Sequence, residues 1–135
     1  MNIATIQSNF FGIYENQKNL ANKVKDWVKN NLIGRKIYVA SCNKTIELNW
    51  QGLKNDLGEY HYPLYIEKLI SFGVLDEIIA NADYLKEEKD KRDRLSVKAV
   101  HRLSSRVQID NKVYDVVIIC IESSANFIYD HILLE

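Results

Sequence analysis

The residues best suited to chemistry in this 135-residue chain are two histidines in its last third, His101 and His131, together with Tyr129. An imidazole changes its protonation state near neutral pH, so a pair of histidines can supply both the base and the acid of one reaction. A tyrosine hydroxyl beside them can also donate a proton. Whether the three side chains act together depends on the strands that carry them.

The last third of the chain predicts three long β-strands joined by tight turns, over residues 95–109, 112–122 and 127–134. Asp110-Asn111 is typical of a two-residue hairpin turn, because both residue types tolerate a left-handed φ. The register that follows places Arg106 opposite Asp115. Because opposite charges across a strand pair attract, this pairing favours the register.

The same register predicts that both histidines lie on one face of the sheet. His101 falls opposite Cys120, and a four-residue loop after the second strand pairs Cys120 with Tyr129 and Ile118 with His131. A slip of one residue in either hairpin would send the side chains of that strand to the other face. The alternative to a catalytic cluster is structural: His101 as a half-buried strand residue and Tyr129 as a packing aromatic.

The rest of the chain predicts helices and short strands that precede these three. A charged run over residues 83–94 predicts a solvated loop or a frayed helix end. We therefore expect one domain over residues 1–135 of the α+β class, with N-terminal helices packed on an antiparallel β-sheet that ends in a C-terminal three-stranded meander. The preceding elements are a lead-in over 1–14, a helix over 16–31, short strands over 36–40 and 45–50, helical turns over 51–58, and a helix that begins at Pro63 and breaks near Gly73.

Composition excludes several classes of function. The chain has 18 basic and 18 acidic residues, so no whole-chain field draws it to nucleic acid or to a membrane, and no apolar stretch is long enough to span a bilayer. Cys42 and Cys120 match no metal or redox spacing, so we expect buried thiols, no metal site and no cofactor. Free thiols favour a cytoplasmic site of action, which is compatible with delivery as part of a larger protein.

Basic residues are concentrated in one segment. Residues 86–106 contain eight Lys or Arg and four acids, a local charge of +4 in a neutral chain. Such a segment suits a polyanion, because phosphate contacts dominate affinity for nucleic acids. A second basic and aromatic cluster surrounds His61, whose neighbouring tyrosines either stack on bases or anchor a loop. The residues predicted to bind RNA are His61, Lys98, Arg102 and Arg106.

Three blocks carry a resemblance to a known group of domains: Lys25-Asp-Trp-Val-Lys-Asn-Asn-Leu-Ile-Gly34, Ile46-Glu-Leu-Asn-Trp-Gln-Gly-Leu-Lys54, and residues 97–135 with Tyr129-Asp130-His131. Together they resemble a small domain of the large polyvalent proteins of phages and mobile elements. That group is similar to the barnase–EndoU–colicin–RelE class of ribonucleases.

The resemblance implies a metal-independent endoribonuclease, a toxin or effector module whose active site lies on the sheet. His101 would take the proton from a ribose 2′-hydroxyl, and His131 or Tyr129 would protonate the leaving 5′-oxygen. Lys54 or Arg102 would stabilise the phosphorane. The products would be a 2′,3′-cyclic phosphate and a 5′-hydroxyl. The implied partners are an RNA substrate, such as tRNA, and a cognate immunity or antitoxin protein.

A non-catalytic protein-binding module is the alternative, either an immunity or antitoxin-like protein or a phage-associated adaptor. A net charge of zero and eight tyrosines suit a protein–protein surface as well as an RNA surface. The two hypotheses differ over His101. Its replacement by alanine would abolish RNA cleavage in an enzyme and would change only stability in a binding module.

Overall fold

Helices cover one face of a curled seven-stranded sheet in the computed structural model of the chain, which describes residues 3–124 and 126–135. Residue 125, in the predicted second turn, lies outside these ranges, as do residues 1 and 2 of the predicted lead-in. The strands are β1 (Ala4–Ile6), β2 (Lys36–Val39), β3 (Lys44–Glu47), β4 (Asp83–Glu88), β5 (Ala99–Ile109), β6 (Lys112–Ser123) and β7 (Asn126–Leu134). The helices are α1 (Gln17–Asn31), α2 (Trp50–Leu57), α3 (Tyr65–Ser71) and α4 (Leu75–Ala80), with a 3₁₀ turn over Phe72–Val74.

The sheet is mixed but mostly antiparallel, with the order β1-β5-β6-β7-β3-β2. Strand β1 runs parallel to β5, and β3 runs parallel to β7, whereas β5, β6 and β7 form the predicted antiparallel meander. The outer edge of β5 is shared between β1 at one end and β4 at the other. The predicted α+β class, with helices on a sheet that ends in this meander, is confirmed.

Strand β4 corrects the prediction of a loop or frayed helix over residues 83–94. Residues Asp83–Glu88 pair antiparallel with β5, with an irregularity between Tyr84 and Lys86. Most of this strand is exposed at the sheet edge, so it needs no apolar alternation and its charges discourage pairing with another chain. Backbone pairing holds it to β5, together with side-chain contacts of Tyr84 with His101 and of Glu88 with Arg102.

Helix α1 forms as the sequence predicts. The Asn16 side chain accepts a hydrogen bond from the Asn19 backbone N–H at 2.8 Å and caps the helix, and the stripe of Leu20, Val24 and Val28 is fully buried. Pro63, by contrast, lies in the turn before α3 and does not begin it. None of the helices within residues 3–124 and 126–135 has the length and hydropathy needed to cross a membrane.

Helix α2 lies along the edge of β7, where it positions the C-terminal residues. The Asp56 Oδ1 atom accepts the Ile132 backbone N–H at 3.2 Å, which satisfies a donor that the sheet leaves unpaired. A Cβ atom on Gly52 would lie 2.2 Å from the Tyr129 carbonyl oxygen, so only glycine allows this approach. The Tyr62 hydroxyl covers the same edge further along, where it accepts the Leu134 N–H at 2.8 Å.

Candidate active site

The hairpin of β5 and β6 has the register that the sequence predicts. His101 pairs with Cys120, and Arg106 pairs with Asp115, whose Oδ1 lies 3.4 Å from the arginine Nε. Asp110 has a φ of +53°, the left-handed conformation expected at its turn. The chemistry of this turn and one cross-strand charge pair are therefore enough to fix which β5 side chains share a face.

The register of β7 is correctly predicted only as far as Tyr129. Cys120 pairs with Tyr129, but Ile119 and not Ile118 pairs with His131, because Asp130 is an extra residue that bulges out of the ladder. The row of His101, Cys120 and Tyr129 is on the helix-covered face, and His131 projects from the opposite, open face. The prediction that His101, Tyr129 and His131 share one face is therefore wrong for His131.

His101 is almost completely buried, with 3% of its surface exposed. Its Nδ1 atom lies 2.8 Å from the Tyr84 hydroxyl, and its Nε2 atom lies 2.9 Å from Glu122 Oε1. The Phe127 ring stacks on the imidazole at a centroid distance of 4.3 Å. A substrate could reach neither ring nitrogen without breaking one of these hydrogen bonds.

Tyr129 belongs to a buried polar network that joins α2, α3 and β7. Its hydroxyl donates to Asp56 Oδ2, and the Lys68 Nζ atom lies 2.8 Å from Asp56 Oδ1, with both members of this ion pair fully buried. Burial raises the pKa of Asp56 to about 6, against the lowering effect of Lys68. Burial, with the charge of Asp56, also raises the pKa of Tyr129 well above its ordinary value. The network is inaccessible to a substrate.

Lys54 and His61 lie apart from the histidines of the sheet. Lys54 is exposed on α2 and lines a pocket of about 230 Å³ together with Trp50 and Tyr60, to which none of the described histidines contributes. His61 is exposed in the turn between α2 and α3. The structure therefore does not bring Lys54, His101, Tyr129 and His131 into one site.

The predicted RNA-binding residues of β5 carry charges that are already paired. The Arg102 Nε atom lies 2.6 Å from Glu88 Oε1 on β4, and Arg106 pairs with Asp115. Lys98 is exposed at the residue before β5. Phosphate binding by the two arginines would have to compete with these carboxylates.

His131 forms a dyad with its neighbour on the open face. Its Nδ1 atom lies 2.8 Å from Asp130 Oδ2, and an Arg94 guanidinium nitrogen lies 3.3 Å from Asp130 Oδ1. Burial raises the pKa of Asp130, but the hydrogen bonds and charges of His131 and Arg94 outweigh burial and leave this pKa below its usual value. With Asp130 ionised, Nδ1–H donates to it, so Nε2 is left with a lone pair that can accept a proton. The His131 side chain is 23% exposed.

The charged segment after β4 folds around one carboxylate and does not form the predicted solvated run. Asp90 is 6% exposed and accepts the backbone N–H groups of Arg92 and Arg94 at 3.2 and 2.9 Å. Two side-chain nitrogens of Arg94 lie 3.0 and 3.1 Å from the same carboxylate. The hydrogen bonds from Arg94, ahead of the opposing effect of burial, lower the pKa of Asp90 to about 2. Asp90 therefore fixes Arg94 where it can reach Asp130.

A pocket of about 270 Å³ opens beside this dyad, between α2 and the loop of Asp90. Arg92 and Arg94 supply positive charge, and three amide side chains supply both donors and acceptors. Its lining residues are Asn49, Gln51, Gly52, Asn55, Arg92, Arg94, Ile121, Tyr129 and Asp130. His131 does not itself line this pocket; it adjoins the pocket through Asp130, which lines it and also contacts Arg94.

Sequence reasoning missed three parts of this site: Asp90, Arg94 and the amides of α2. Asp90 and Arg94 are four residues apart within a run that looks like a solvated charged surface. Their i,i+4 spacing was the available signal, because a carboxylate and a guanidinium at that separation can pair within one turn. No pattern in the sequence marked Asn49, Gln51 and Asn55 as pocket residues, because their position at the pocket depends on where α2 meets β7.

A family model described as large polyvalent protein-associated domain 3 matches residues 15–129. The chain belongs to the large polyvalent protein-associated domain 3 family. The match covers α1 to the middle of β7 and includes Arg92, Arg94 and the amides of α2, whereas Asp130 and His131 follow its last residue. No curated protein and no solved structure matches the chain. The polyvalent-protein part of the resemblance is confirmed, and its ribonuclease part stays a prediction.

Proposed function

We propose that this member of the large polyvalent protein-associated domain 3 family is a metal-independent endoribonuclease whose acid–base residue is His131. The observation that carries the proposal is the dyad of His131 and Asp130 at 2.8 Å beside a pocket lined by two arginines and three amide side chains. A carboxylate that fixes one imidazole nitrogen leaves the other in the tautomer that a general base needs. His131 therefore replaces His101 as the proposed base.

The proposed reaction is transesterification of the RNA backbone. His131 Nε2 takes the proton of a ribose 2′-hydroxyl, and the 2′-oxygen forms a bond to the adjacent phosphorus. The bond from phosphorus to the 5′-oxygen then breaks, and this oxygen leaves with the electron pair and takes a proton from water. The products are a 2′,3′-cyclic phosphate and a 5′-hydroxyl, and the imidazolium returns its proton to the hydroxide that remains.

Arg92 and Arg94 have the charge that the phosphorane requires. Arg94 is held by Asp90 and Asp130, so its guanidinium has a fixed position at the edge of the pocket, where a phosphate would have to compete with these two carboxylates. The Arg92 side chain is exposed and lines the same pocket, where it can contact a phosphate oxygen. The amides of Asn49 and Gln51 can donate to and accept from the edges of an unstacked base.

The other residues predicted from sequence keep a place in the proposal. Lys54, His61 and Lys98 are exposed cations or imidazoles and would contact the RNA backbone outside the pocket. His101 and Tyr129 would support the fold and not touch the substrate. The proposed setting is the cytoplasm, where the domain acts on RNA such as tRNA as part of a larger phage or mobile-element protein, and a cognate immunity or antitoxin protein would cover the pocket.

A second candidate function is a non-catalytic protein-binding module. The open face of the sheet carries half-buried aliphatic side chains: Val117 and Leu133 lie between the Arg102–Glu88 and Arg106–Asp115 ion pairs, and Ile121 lies just beyond the first pair. Aliphatic centres with a charged rim are usual in protein interfaces. An immunity, antitoxin-like or adaptor protein would use this face and leave RNA intact.

Incubation of the purified chain with total RNA in EDTA separates the two functions. The proposed enzyme cleaves RNA in the chelator and leaves 2′,3′-cyclic phosphate ends, which resist a phosphatase until acid opens the ring. RNA that stays intact at high protein concentration would contradict the enzyme and support the binding module. Cleavage that requires added Mg²⁺ would contradict the proposed metal-independent mechanism.

A further inference from the structure

We propose that Glu87, His101 and Glu122 form a binding site for a divalent transition-metal ion, with Zn²⁺ as the ion that the ligands fit best. Each residue offers one ligand atom, and these atoms all lie within 4.8 Å of one another. They come from three adjacent strands, because Glu87 on β4 pairs with His101 on β5, and β5 pairs with the strand of Glu122. An imidazole nitrogen and carboxylate oxygens are usual zinc ligands.

The separation of the two hydrogen-bonded ligand atoms suits coordination of one ion. Nε2 of His101 lies 2.9 Å from Oε1 of Glu122. Two atoms bound to the same Zn²⁺ at about 2.1 Å are roughly 3.0–3.4 Å apart at angles between 90° and 110°. The ion would therefore enter beside the existing hydrogen bond with a shift of a few tenths of an ångström. Glu87, which is exposed, would swing in as the third ligand and leave a coordination position open to water.

The surroundings of His101 are those of a metal ligand. The Tyr84 hydroxyl lies 2.8 Å from Nδ1, so a metal on Nε2 would leave the Nδ1 proton donating to the tyrosine oxygen. Phe127 stacks on the other side of the ring and restricts its rotation. A second-shell hydrogen bond and a packed ring are what fix the tautomer and the direction of a ligating histidine.

The site would tie the edge strand to the centre of the sheet. Strand β4 is mostly exposed, and Glu87 is held to β5 only by the strand pairing. An ion that binds the native fold and not the unfolded chain raises the melting temperature, and above its dissociation constant the stabilisation grows with the logarithm of the ion concentration. The proposed metal is on the helix-covered face and the dyad of His131 is on the open face, so this inference does not depend on the proposed function.

Titration with ZnCl₂ tests the site, in a chain that carries Cys42→Ser so that no half-exposed thiol competes. We expect one Zn²⁺ per chain and a higher melting temperature. Glu87→Gln and Glu122→Gln should each weaken binding by about tenfold or more, and Tyr84→Phe should weaken it on the order of tenfold. Because Glu87 is exposed, Glu87→Gln should keep the fold, as checked by circular dichroism.

The matched control is Glu88→Gln, which removes the neighbouring carboxylate of β4, a residue that pairs with Arg102 and lies outside the cluster. It should bind Zn²⁺ as tightly as the parent chain. Equal affinity in the parent, Glu87→Gln and Glu122→Gln would overturn the site, and so would a failure to bind at millimolar Zn²⁺. Loss of binding in His61→Asn with retention in Glu122→Gln would also overturn it, because the ion would then lie elsewhere.

Discussion

His101 and His131 project from opposite faces of one sheet, although a single strand, β6, separates the strands that carry them. The bulge at Asp130 is responsible, because it inserts one residue between Tyr129 and His131. Each later side chain of β7 therefore projects from the opposite face to the one that an unbroken ladder would give it. The two imidazoles therefore cannot serve one substrate as acid and base. The more accessible of the two is His131, whose partner Asp130 contacts Arg94 and lines the pocket.

The first prediction concerns the Asp130 carboxylate. Asp130→Asn should lower RNA cleavage by at least about 10²-fold, because the amide no longer fixes the His131 tautomer and no longer holds Arg94. The measurement is the initial rate on a defined single-stranded RNA. Asp115→Asn is the control, since Asp115 is also an acid of the sheet but pairs only with exposed Arg106. Equal rates in the two variants would count against the dyad.

The second prediction concerns the close approach of α2 to β7. Gly52→Ala should destabilise the fold by roughly 1–3 kcal/mol, because its Cβ would meet the Tyr129 carbonyl oxygen at 2.2 Å. Gly58→Ala is the matched control, because the nearest atom to its Cβ lies at 3.7 Å and its backbone is in the ordinary right-handed region. Urea midpoints compare the two. Similar midpoints would show that the helix can move away from the strand at little cost.

The third prediction concerns the buried ion pair. Lys68→Met should destabilise the protein by about 3–5 kcal/mol, because it leaves the Asp56 carboxylate buried without a countercharge. Lys68→Met combined with Asp56→Asn should be less destabilised than the sum of the two single variants. The double-mutant cycle from urea unfolding measures this coupling. Strict additivity would mean that the two groups do not interact in the native state.

The fourth prediction follows from the raised pKa of Asp56, which is about 6 in the fold against an ordinary value of 3.8. The folded chain therefore binds this proton more tightly than the unfolded chain, so the contribution of Asp56 to stability is present below pH 4 and is lost as pH rises toward 6. Stability relative to Asp56→Asn should accordingly fall between pH 4 and pH 6. If the stability relative to Asp56→Asn rises over this window instead, the pKa of Asp56 is lowered in the fold and not raised. Asp90 and Asp130 have lowered pKa values, so they make stability rise with pH. This rise is common to the parent chain and Asp56→Asn and cancels in the difference between them.

The fifth prediction concerns the two thiols. Cys120 is fully buried and its pKa is raised by burial, whereas Cys42 is half-buried in the turn between β2 and β3. One thiol per chain should react with a disulfide reagent in the native protein, and two should react in urea. Cys42→Ser should abolish the native reaction. Rapid native labelling of the Cys42→Ser chain would show that the sheet opens near His101.

The parts of the fold that local chemistry determines could be predicted from the sequence. The stripe of α1 follows from 3.6-residue spacing, and the register of β5 against β6 follows from the turn at Asp110 and the pair of Arg106 with Asp115. Strand β4 could not be predicted, because a charged edge strand has no apolar alternation. The bulge at Asp130 could not be predicted either, because Asp130 is bound by Arg94 from a loop that is distant in sequence.

The buried network carried a signal that was overlooked. Lys68 lies three residues after Tyr65 and four before Phe72, on the apolar stripe of α3, where a solvated lysine would not be placed. A lysine at such a position predicts a buried acid, and Asp56 occupies the corresponding position between Leu53 and Leu57 on α2. The site itself could be predicted only as a list of residue types, because α2, the loop of Asp90 and β7 meet through tertiary packing.

The most direct test of the central claim is the rate of RNA cleavage by His131→Gln in EDTA, compared with the unsubstituted chain. Glutamine keeps a hydrogen-bonding group beside Asp130 but cannot take the 2′-hydroxyl proton, so we expect a loss of at least about 10²-fold with an unchanged urea midpoint. His61→Gln removes only a proposed contact with the RNA backbone outside the pocket, so it should lower the rate by a few-fold at most. Full activity in His131→Gln would contradict the account.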